Sequence, residues 1–215
     1  MSLKIQRFVC NPFQENCYVV SDTTGEGVVI DCGAYFPEER QAVVRYITDN
    51  NILVKHLIAT HGHVDHNFGN DTLFSQLGLK VEVCGDDQPL MEALDLQCRQ
   101  FLGVPLGYDM PPVGSYFSPI DYAPSFGSHS LVAVPTPGHT PGGVVLWCEE
   151  EEVAFTGDTL FRMSVGRTDF EGGSHSLLLQ SLHSLAQRLP SPTTILPGHG
   201  PKTTMGFEIE HNPYF

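Results

Sequence analysis

Residues 59–66 of this 215-residue chain read Ala-Thr-His-Gly-His-Val-Asp-His and hold three of its ten histidines. The stretch directly follows an apolar run that is typical of a buried strand. In an extended loop, side chains at positions i and i+2 point the same way, so His61 and His63 can bind one ion. Asp65 and His66 lie where the chain turns toward a helix, and they can reach a neighbouring ion. The stretch therefore predicts two partial metal sites at the end of a strand.

Each partial site needs further ligands, and three glycine-containing turns elsewhere in the chain offer them. Each turn holds one polar candidate beside glycine at the end of a predicted strand: His139, Asp158 and His199. Glycine lets the backbone turn sharply and approach closely, as a crowded metal site requires. The other five histidines match no ligand pattern, and we expect them at the surface or behind the ligands: His56, His129, His175, His183 and His211.

The hydrophobic pattern predicts an α/β domain. Apolar runs predict strands at 17–20, 27–31, 54–59, 81–83, 131–134, 144–147, 153–156 and 194–196. Apolar residues at helical spacing predict helices at 38–49, 67–77, 88–101 and 176–189. The acidic run 149–152 is expected at a solvated hairpin tip. Strands and helices in both halves of the chain indicate two sheets packed together with helices outside.

Composition restricts the function classes. The formal net charge is −14, from 11 Lys and Arg against 25 Asp and Glu, and such an excess repels the phosphates of nucleic acids. Six cysteines without a C-x-x-C pair indicate reduced thiols in a cytosolic protein. The N-terminus has no signal-peptide pattern, and no apolar run reaches the roughly 18 residues of a membrane span. We therefore expect a cytoplasmic protein that binds neither nucleic acid nor membrane, and the sequence holds no signal for its oligomeric state.

Taken together, these motifs resemble the metallo-β-lactamase-fold hydrolases over nearly the whole chain. The resemblance is closest to the glyoxalase II branch, especially its short single-domain bacterial members. Further matching segments lie at 157–161, 165–170, 197–201 and 212–214. The resemblance implies one domain, residues 1–215, folded as a four-layer αββα sandwich with the site at the edge between two sheets.

The same resemblance implies two divalent metal ions, with zinc first and iron or manganese as alternatives. The implied ligands of the first metal are His61, His63 and His139. The implied ligands of the second metal are Asp65, His66 and His199, and Asp158 is implied to bridge the two.

A pair of metal ions favours a particular reaction. Two divalent ions roughly 3.5–4 Å apart can hold a water between them and lower its pKa towards 7, and an ion also polarises a carbonyl. An amine must be protonated as it leaves, whereas a thiolate, with a conjugate-acid pKa of about 8.5, leaves unaided. The motifs offer no spare acid beyond Asp65, so a thioester fits them best. The resemblance implies hydrolysis of 2-hydroxyacyl thioesters such as S-D-lactoylglutathione, with Asp65 and Asp158 as catalytic residues.

The substrate pocket is less fully determined by the motifs. Two-domain glyoxalase II enzymes build much of their glutathione pocket from a C-terminal helical domain. Only 16 residues follow His199 in this sequence, so we expect no such domain here. We expect substrate-facing walls from the Pro/Gly-rich segment 85–130, the loop that holds Phe161 and Arg167, and the tail that holds Tyr214. Arg167 can either bind a substrate carboxylate or pair with a nearby acid. Within 85–130, the candidate selectivity residues are Phe101 and Tyr108.

Three other functions stay open at this point. Persulfide dioxygenases share the fold and most motifs but use one Fe(II), which His61, His139 and Asp158 would hold here. A lactamase fits less well, because the best-known lactamases commonly have cysteine at the position of Asp158. The third is a metal-dependent binding module without catalysis, which would keep its metal and be inert to esters and thioesters.

Overall fold

The computed structural model describes residues 2–215, which form strands, six α-helices and short 3-10 turns. The strands are β1 (Lys4–Cys10), β2 (Glu15–Ser21), β3 (Glu26–Ile30), β4 (Leu53–Ile58), β5 (Val81–Cys84), β6 (Ser115–Phe117), β7 (Ser125–Phe126), β8 (His129–Ser130), β9 (Val132–Pro135), β10 (Val144–Cys148), β11 (Val153–Gly157), β12 (Leu160–Phe161), β13 (Ser164–Val165), β14 (Thr194–Pro197) and β15 (Thr203–Thr204). The helices are α1 (Pro37–Asp49), α2 (Asn70–Leu77), α3 (Gln88–Glu92), α4 (Leu94–Leu102), α5 (His175–Arg188) and α6 (Met205–His211).

Most of the strands belong to two sheets. The first sheet has the order β1-β2-β3-β4-β5-β6, with antiparallel pairing from β1 to β3 and parallel pairing from β3 to β6. The second has the order β15-β14-β11-β10-β9, in which β11 and β14 are parallel and the other neighbours antiparallel. Two short hairpins, β7 with β8 and β12 with β13, lie outside these sheets.

The two sheets pack face to face, with helices on both outer surfaces. Successive residues of a strand point to opposite faces, so β2 directs Tyr18 towards the second sheet and Val19 towards the helices. The ring of Tyr18 packs edge-on against Phe155 of β11. On the outside, Leu73 of α2 packs with the first sheet, and Leu182 of α5 packs with the second. The layer order is helix, sheet, sheet, helix, which confirms the predicted four-layer αββα sandwich.

Differences from the predicted elements have local causes. The helix predicted at 67–77 begins at Asn70, because residues 67–69 form a turn that continues the 3-10 helix Val64–His66. The helix predicted at 88–101 is two helices, α3 and α4, which meet at Ala93, where φ is −106° and ψ is 17°. The sequence pattern does not predict β1, an edge strand whose side chains are mostly exposed or half-buried on both faces. Because β1 has a neighbouring strand on one side only, fewer side chains cover it, and its sequence lacks a strong apolar alternation.

Several composition-based expectations also have structural outcomes. All six cysteines are buried and none forms a disulfide, as expected for reduced thiols. The acidic run 149–152 connects β10 to β11 and is largely exposed, as expected for a hairpin tip. Within residues 2–215, none of the helices combines the length and apolar character that a bilayer span requires.

The predicted metal motifs leave the two sheets at one edge of the sandwich. Residues 59–66 follow β4 of the first sheet. Three strands of the second sheet precede the remaining ligands: His139 follows β9, Asp158 follows β11 and His199 follows β14. β11 and β14 are parallel, and β9 runs the same way across β10, so their carboxyl ends meet at the same edge. Both sheets therefore contribute to one candidate site.

Candidate metal centre

The predicted ligands converge at this edge in two groups. The first group is His61, His63 and His139, and the second group is Asp65, His66 and His199. Within each group, one ligand atom from every residue lies within 4.8 Å of the others. Asp158 lies between the groups, because it forms a further set within the same limit with one histidine of each, His61 and His66.

The rings of the first group are buried, and neighbouring oxygen atoms orient two of the three. Nδ1 of His63 lies 2.9 Å from Nε2 of His139, so two imidazole nitrogens face each other. Nδ1–H of His139 donates to the carbonyl oxygen of Arg167 at 2.7 Å, which leaves a lone pair on Nε2. Nδ1 of His61 lies 3.1 Å from the hydroxyl of Thr60, and its Nε2 is buried without a hydrogen-bond partner.

The second group is oriented in the same way. Nδ1–H of His66 donates to Oδ2 of Asp31 at 2.9 Å, and Nδ1–H of His199 donates to the carbonyl of Phe13 at 3.0 Å. Both rings therefore direct Nε2 into the site. There, Oδ2 of Asp65 lies 3.4 Å from Nε2 of His199 and 3.9 Å from Nε2 of His66.

The carboxylate of Asp158 faces both groups. Its Oδ1 lies 3.3 Å from Nε2 of His66 and 3.6 Å from Nε2 of His199, while its Oδ2 lies 3.5 Å from Nε2 of His139. The glycine before His199 is required for this approach, because a Cβ at Gly198 would lie 2.5 Å from Oδ1 of Asp158. The arrangement fits the predicted bridging role.

The unpartnered atoms of the site test whether metal ions fit these residues. Nε2 of His61, Nε2 of His66 and Oδ1 of Asp158 are all buried without a hydrogen-bond partner. Buried polar atoms normally have partners, since desolvation without one is costly. Imidazole nitrogens and carboxylate oxygens directed at a common point are the donor set that divalent transition metals prefer. The residues therefore fit two such ions.

The protonation of the ligands differs between the groups. Burial lowers the pKa of His61, and burial also lowers the pKa of His63, to about 4. In His66, the carboxylates of Asp31 and Asp158 outweigh burial and raise the pKa well above its usual value. The pKa of His199 is also raised, because Asp158 outweighs burial. Without an ion, His61 and His63 are therefore neutral, and the histidines of the second group bind protons.

A cleft of about 370 Å³ opens beside the two groups. Its polar floor contains members of both groups together with Asp158. Its walls are apolar and mostly aromatic: Phe13, Phe101, Phe161, Val165 and Phe170. The ring centroids of Phe101 and Phe170 lie 5.1 Å apart, and Phe161 packs edge-on against His199 at 6.0 Å. The cleft can hold a small molecule with its reactive carbon at the ligand groups.

The three predicted substrate contacts lie in different surroundings. Phe161 lines the cleft. Arg167 lies at the cleft too, but its Nε and Nη2 donate to the two carboxylate oxygens of Asp169 at 2.7 and 2.6 Å. Of the two roles considered for Arg167, the structure shows the pairing with a nearby acid. Tyr214 packs against His175 of α5, with ring centroids 6.4 Å apart, and is not among the residues that line the cleft.

The two candidates of segment 85–130 are also separated. Phe101 of α4 lines the cleft and contacts His63 edge-on, with ring centroids 6.5 Å apart. Tyr108 lies beneath the guanidinium of Arg40 and donates its hydroxyl to the carbonyl of Phe68, beside a different cavity. The position of Phe101 allows the predicted role in selectivity, which stays a prediction, and the surroundings of Tyr108 favour a packing role.

Two buried carboxylates support the ligands, although no sequence motif marks them as supports. Asp31 accepts hydrogen bonds from His66 and from the backbone and hydroxyl of Thr60. Asp87 accepts from Gly62 and from the turn that follows His139. For Asp31, the signal was a charged residue directly after the apolar run of β3. For Asp87, no local pattern marks it among its acidic neighbours.

The five non-ligand histidines mostly follow expectation, with one correction. Four are exposed or half-buried and none belongs to either group: His56, His175, His183 and His211. His129 is buried, and its two nitrogens lie 3.2 Å from Asp22 and 3.1 Å from Glu151. Asp22 precedes β3 and Glu151 precedes β11, whereas the metal-ligand candidates follow the ends of their strands. His129 was expected at the surface or behind the ligands, and this expectation is wrong.

Comparison with known proteins identifies related chains. The family model of the metallo-beta-lactamase superfamily matches residues 10–199, which include all the predicted ligands. Hydroxyacylglutathione hydrolase GloC of Haemophilus influenzae is 32% identical over 215 residues, covering 99% of this chain and 98% of that protein.

Two solved structures are similar over the same length. BLEG-1 B3 metallo-beta-lactamase has a TM-score of 0.85 and 29% identity, covering 98% of this chain and 99% of that chain. TTHA1623 in a di-iron-bound form has a TM-score of 0.84 and 34% identity, covering 98% of this chain and 100% of that chain. Together with the histidine-rich groups, these similarities imply that the site binds divalent metal ions.

Proposed function

This chain belongs to the metallo-beta-lactamase superfamily, and we propose that it is a metal-dependent hydrolase that cleaves 2-hydroxyacyl thioesters. The observation that carries the proposal is the carboxylate of Asp158 between two groups of ligands. Support for the substrate class comes from the name of the Haemophilus relative, a hydroxyacylglutathione hydrolase.

We propose that the first group holds one ion, the second group holds another, and Asp158 is shared. Zinc is our first choice, and the di-iron form of a relative supports iron as an alternative. When bound, two such ions supply a hydroxide at neutral pH and polarise the substrate carbonyl. Because Nδ1–H of His139 and of His199 donates to backbone carbonyls, these rings stay fixed while they hold the ions.

The acids of the cleft favour a leaving group that needs no proton. Among residues 2–215, the carboxylates that line the cleft are those of Asp65 and Asp158. Burial alone would raise their pKa values, but His66 outweighs it, and the pKa of each carboxyl is lowered. Both groups are therefore ionised at neutral pH and cannot protonate a departing amine. A thiolate leaves without that proton, so thioesters should react faster than the matching amides.

The remaining walls suggest how the substrate is oriented. Phe101 and Phe170 flank His63 of the first group, and Phe161 flanks His199 of the second. The apolar parts of the substrate would pack on these rings and exclude water from the carbonyl carbon. Arg167 could bind a substrate carboxylate through Nε and Nη2 by exchanging its partner Asp169 for it. The contact with Tyr214 remains a prediction.

The test compares two reactions on protein loaded with zinc, iron or manganese. The loss of the thioester ultraviolet absorbance of S-D-lactoylglutathione reports hydrolysis, and the matching amide is the control. An oxygen electrode with glutathione persulfide reports the competing dioxygenase, which needs one Fe(II). Thioester cleavage without oxygen uptake supports the proposal. Oxygen uptake without thioester cleavage would overturn it, and inertness with metal retained would favour a binding module.

A lactamase is the second candidate, because a solved B3 metallo-beta-lactamase is 29% identical over 98% of this chain. The ionised state of Asp65 and Asp158 opposes it, since opening a lactam ring releases an amine that must be protonated. A chromogenic cephalosporin tests this directly. Turnover of the cephalosporin faster than of the thioester would reverse the ranking.

A further inference from the structure

Asp87 lies at the start of segment 85–130 and is fully buried. Its Oδ2 accepts hydrogen bonds from the backbone N–H of Gly62 at 2.8 Å and from the hydroxyl of Thr140 at 2.8 Å. Its Oδ1 accepts from the backbone N–H of Gly142 at 2.6 Å. One carboxylate thus joins two loops that are distant in sequence.

Both loops carry ligands of the first group. Gly62 lies between His61 and His63, and Thr140 directly follows His139. The distance between these loops determines the distance between their imidazoles. Asp87 therefore connects all three ligands of the first group through the backbone.

Gly62 and Gly142 are glycines where the loops meet Asp87. A Cβ at Gly142 would lie 2.8 Å from both Cγ and Oδ1 of Asp87, too close for any side chain. A Cβ at Gly62 would lie 3.2 Å from Cβ of Asp87 and 2.8 Å from Cβ of Leu90. The close packing of both loops against one side chain thus depends on residues without side chains.

The second group is held by different residues. Asp31 accepts from His66, and the side-chain amide of Asn11 donates to the backbone carbonyl of Asp65 at 2.8 Å. His199 is fixed by the carbonyl of Phe13. None of these contacts involves Asp87, so a change at Asp87 should act on one group and spare the other.

We propose that Asp87 is the positioning residue of the first metal site, which it builds by fixing the His61/His63 loop against the His139 loop. The inference rests on the proposed metal-dependent function. It assigns to segment 85–130 a role in metal binding in addition to the substrate wall formed by Phe101.

The substitution Asp87→Asn separates this role from packing. Asparagine has almost the same shape as aspartate, but an NH2 group replaces one of the two carboxylate oxygens and cannot accept a hydrogen bond. If that group faces Gly142, two donors oppose each other there. If it faces Gly62, the same conflict arises at the other loop. Either orientation releases one of the two loops.

The experiment measures metal affinity in two backgrounds, because each leaves one group complete. His199→Ala leaves the first group, and His139→Ala leaves the second. In the His199→Ala protein, Asp87→Asn should weaken zinc binding about ten-fold or more, as loss of groups that orient ligands does. In the His139→Ala protein it should leave zinc affinity unchanged. Affinity is measured by competition with a chelating dye.

The matched control is Asp86→Asn, the same change in charge at the neighbouring, exposed aspartate. It should alter zinc affinity in neither background. The visible absorption of bound Co(II) in the His199→Ala background provides a second measurement, since altered ligand geometry shifts the spectrum and lower stability alone does not. We expect a shift for Asp87→Asn and none for Asp86→Asn.

Two outcomes would overturn the proposal. Unchanged affinity in the His199→Ala background refutes the positioning role, and equal losses in both backgrounds indicate a general effect on folding. Should Asp87→Asn fail to fold, Thr140→Val removes one of the three hydrogen bonds at nearly constant shape, and unchanged affinity there refutes the role. These measurements use no substrate, so the reaction proposed above can fail without affecting them.

Discussion

Replacing Asp158 with alanine should release both metal ions, because its carboxylate faces both groups of ligands. Its Oδ1 lies 3.3 Å from Nε2 of His66, and its Oδ2 lies 3.5 Å from Nε2 of His139. Half of the shared carboxylate charge acting on a divalent ion is equivalent to two unit charges, which at about 4 Å interact by about 4 kcal/mol at an effective dielectric constant of about 20. Since each 1.4 kcal/mol is roughly a factor of ten, the affinity for each ion should fall about a thousand-fold.

Elemental analysis of metal per chain tests this prediction at a fixed free zinc concentration about 30 times the wild-type Kd, at which both wild-type sites are nearly filled. Asp65→Ala is the matched control, because the Asp65 carboxylate approaches only histidines of the second group. We expect almost no zinc in Asp158→Ala and about one ion less than wild type in Asp65→Ala. Wild-type zinc content in Asp158→Ala would show that its carboxylate is not shared.

Four further predictions follow from individual contacts. As pH falls from 7, the second ion should leave first, because the raised pKa values of the second group's histidines let protons compete with the ion there. The His63 pKa of about 4 delays this competition in the first group. Metal per chain at graded pH measures the order, and simultaneous loss of both ions contradicts it. Glu15 is fully buried with neither carboxylate oxygen hydrogen-bonded, and burial raises its pKa, so the native state resists its ionisation. Stability should therefore fall as pH rises above the ordinary glutamate range, and Glu15→Gln should reduce that fall in urea titrations; an unchanged pH dependence would argue against it. Phe101→Ala should raise KM about ten-fold without releasing metal, because an aromatic wall of the cleft is lost; an unchanged KM contradicts that role. Asp169→Asn should release Arg167 from its ion pair and lower the KM for a glutathione thioester by up to about five-fold. The KM for the neutral N-acetylcysteamine thioester should not change. Equal changes in the two KM values would exclude the charge of the carrier as the cause.

The ligands were predictable because each lies in a short motif at the end of its own strand. Residues 59–66 hold four of them, and glycine accompanies each of the other three. The strands that precede the motifs within each sheet run the same way, so their carboxyl ends meet at one edge, and the family resemblance grouped the motifs into two metal sites. The alternation and length of the apolar runs indicated those strands, and both are features that neighbouring residues of the sequence show directly.

The supporting contacts were not predictable for the opposite reason. Asp87 lies 25 residues from Gly62 and 55 residues from Gly142, and the folding of the segments between them decides that they meet. Arg167 shows the same limit at short range, because its sequence allows both a substrate contact and the pairing with Asp169. In such cases the residue type permits several partners, and only the three-dimensional packing selects one.

The two sheets contribute to the site unequally, with four ligands after β4 and three after strands of the second sheet. An ion held by ligands from both sheets would connect the two halves of the sandwich as a cross-link does. Since such a site does not exist in the unfolded chain, free ion at 100 times its Kd would add about 2.7 kcal/mol to the free energy of unfolding. The supply of divalent metal in the cell would then control how long each molecule of this protein survives proteolysis, and so its abundance.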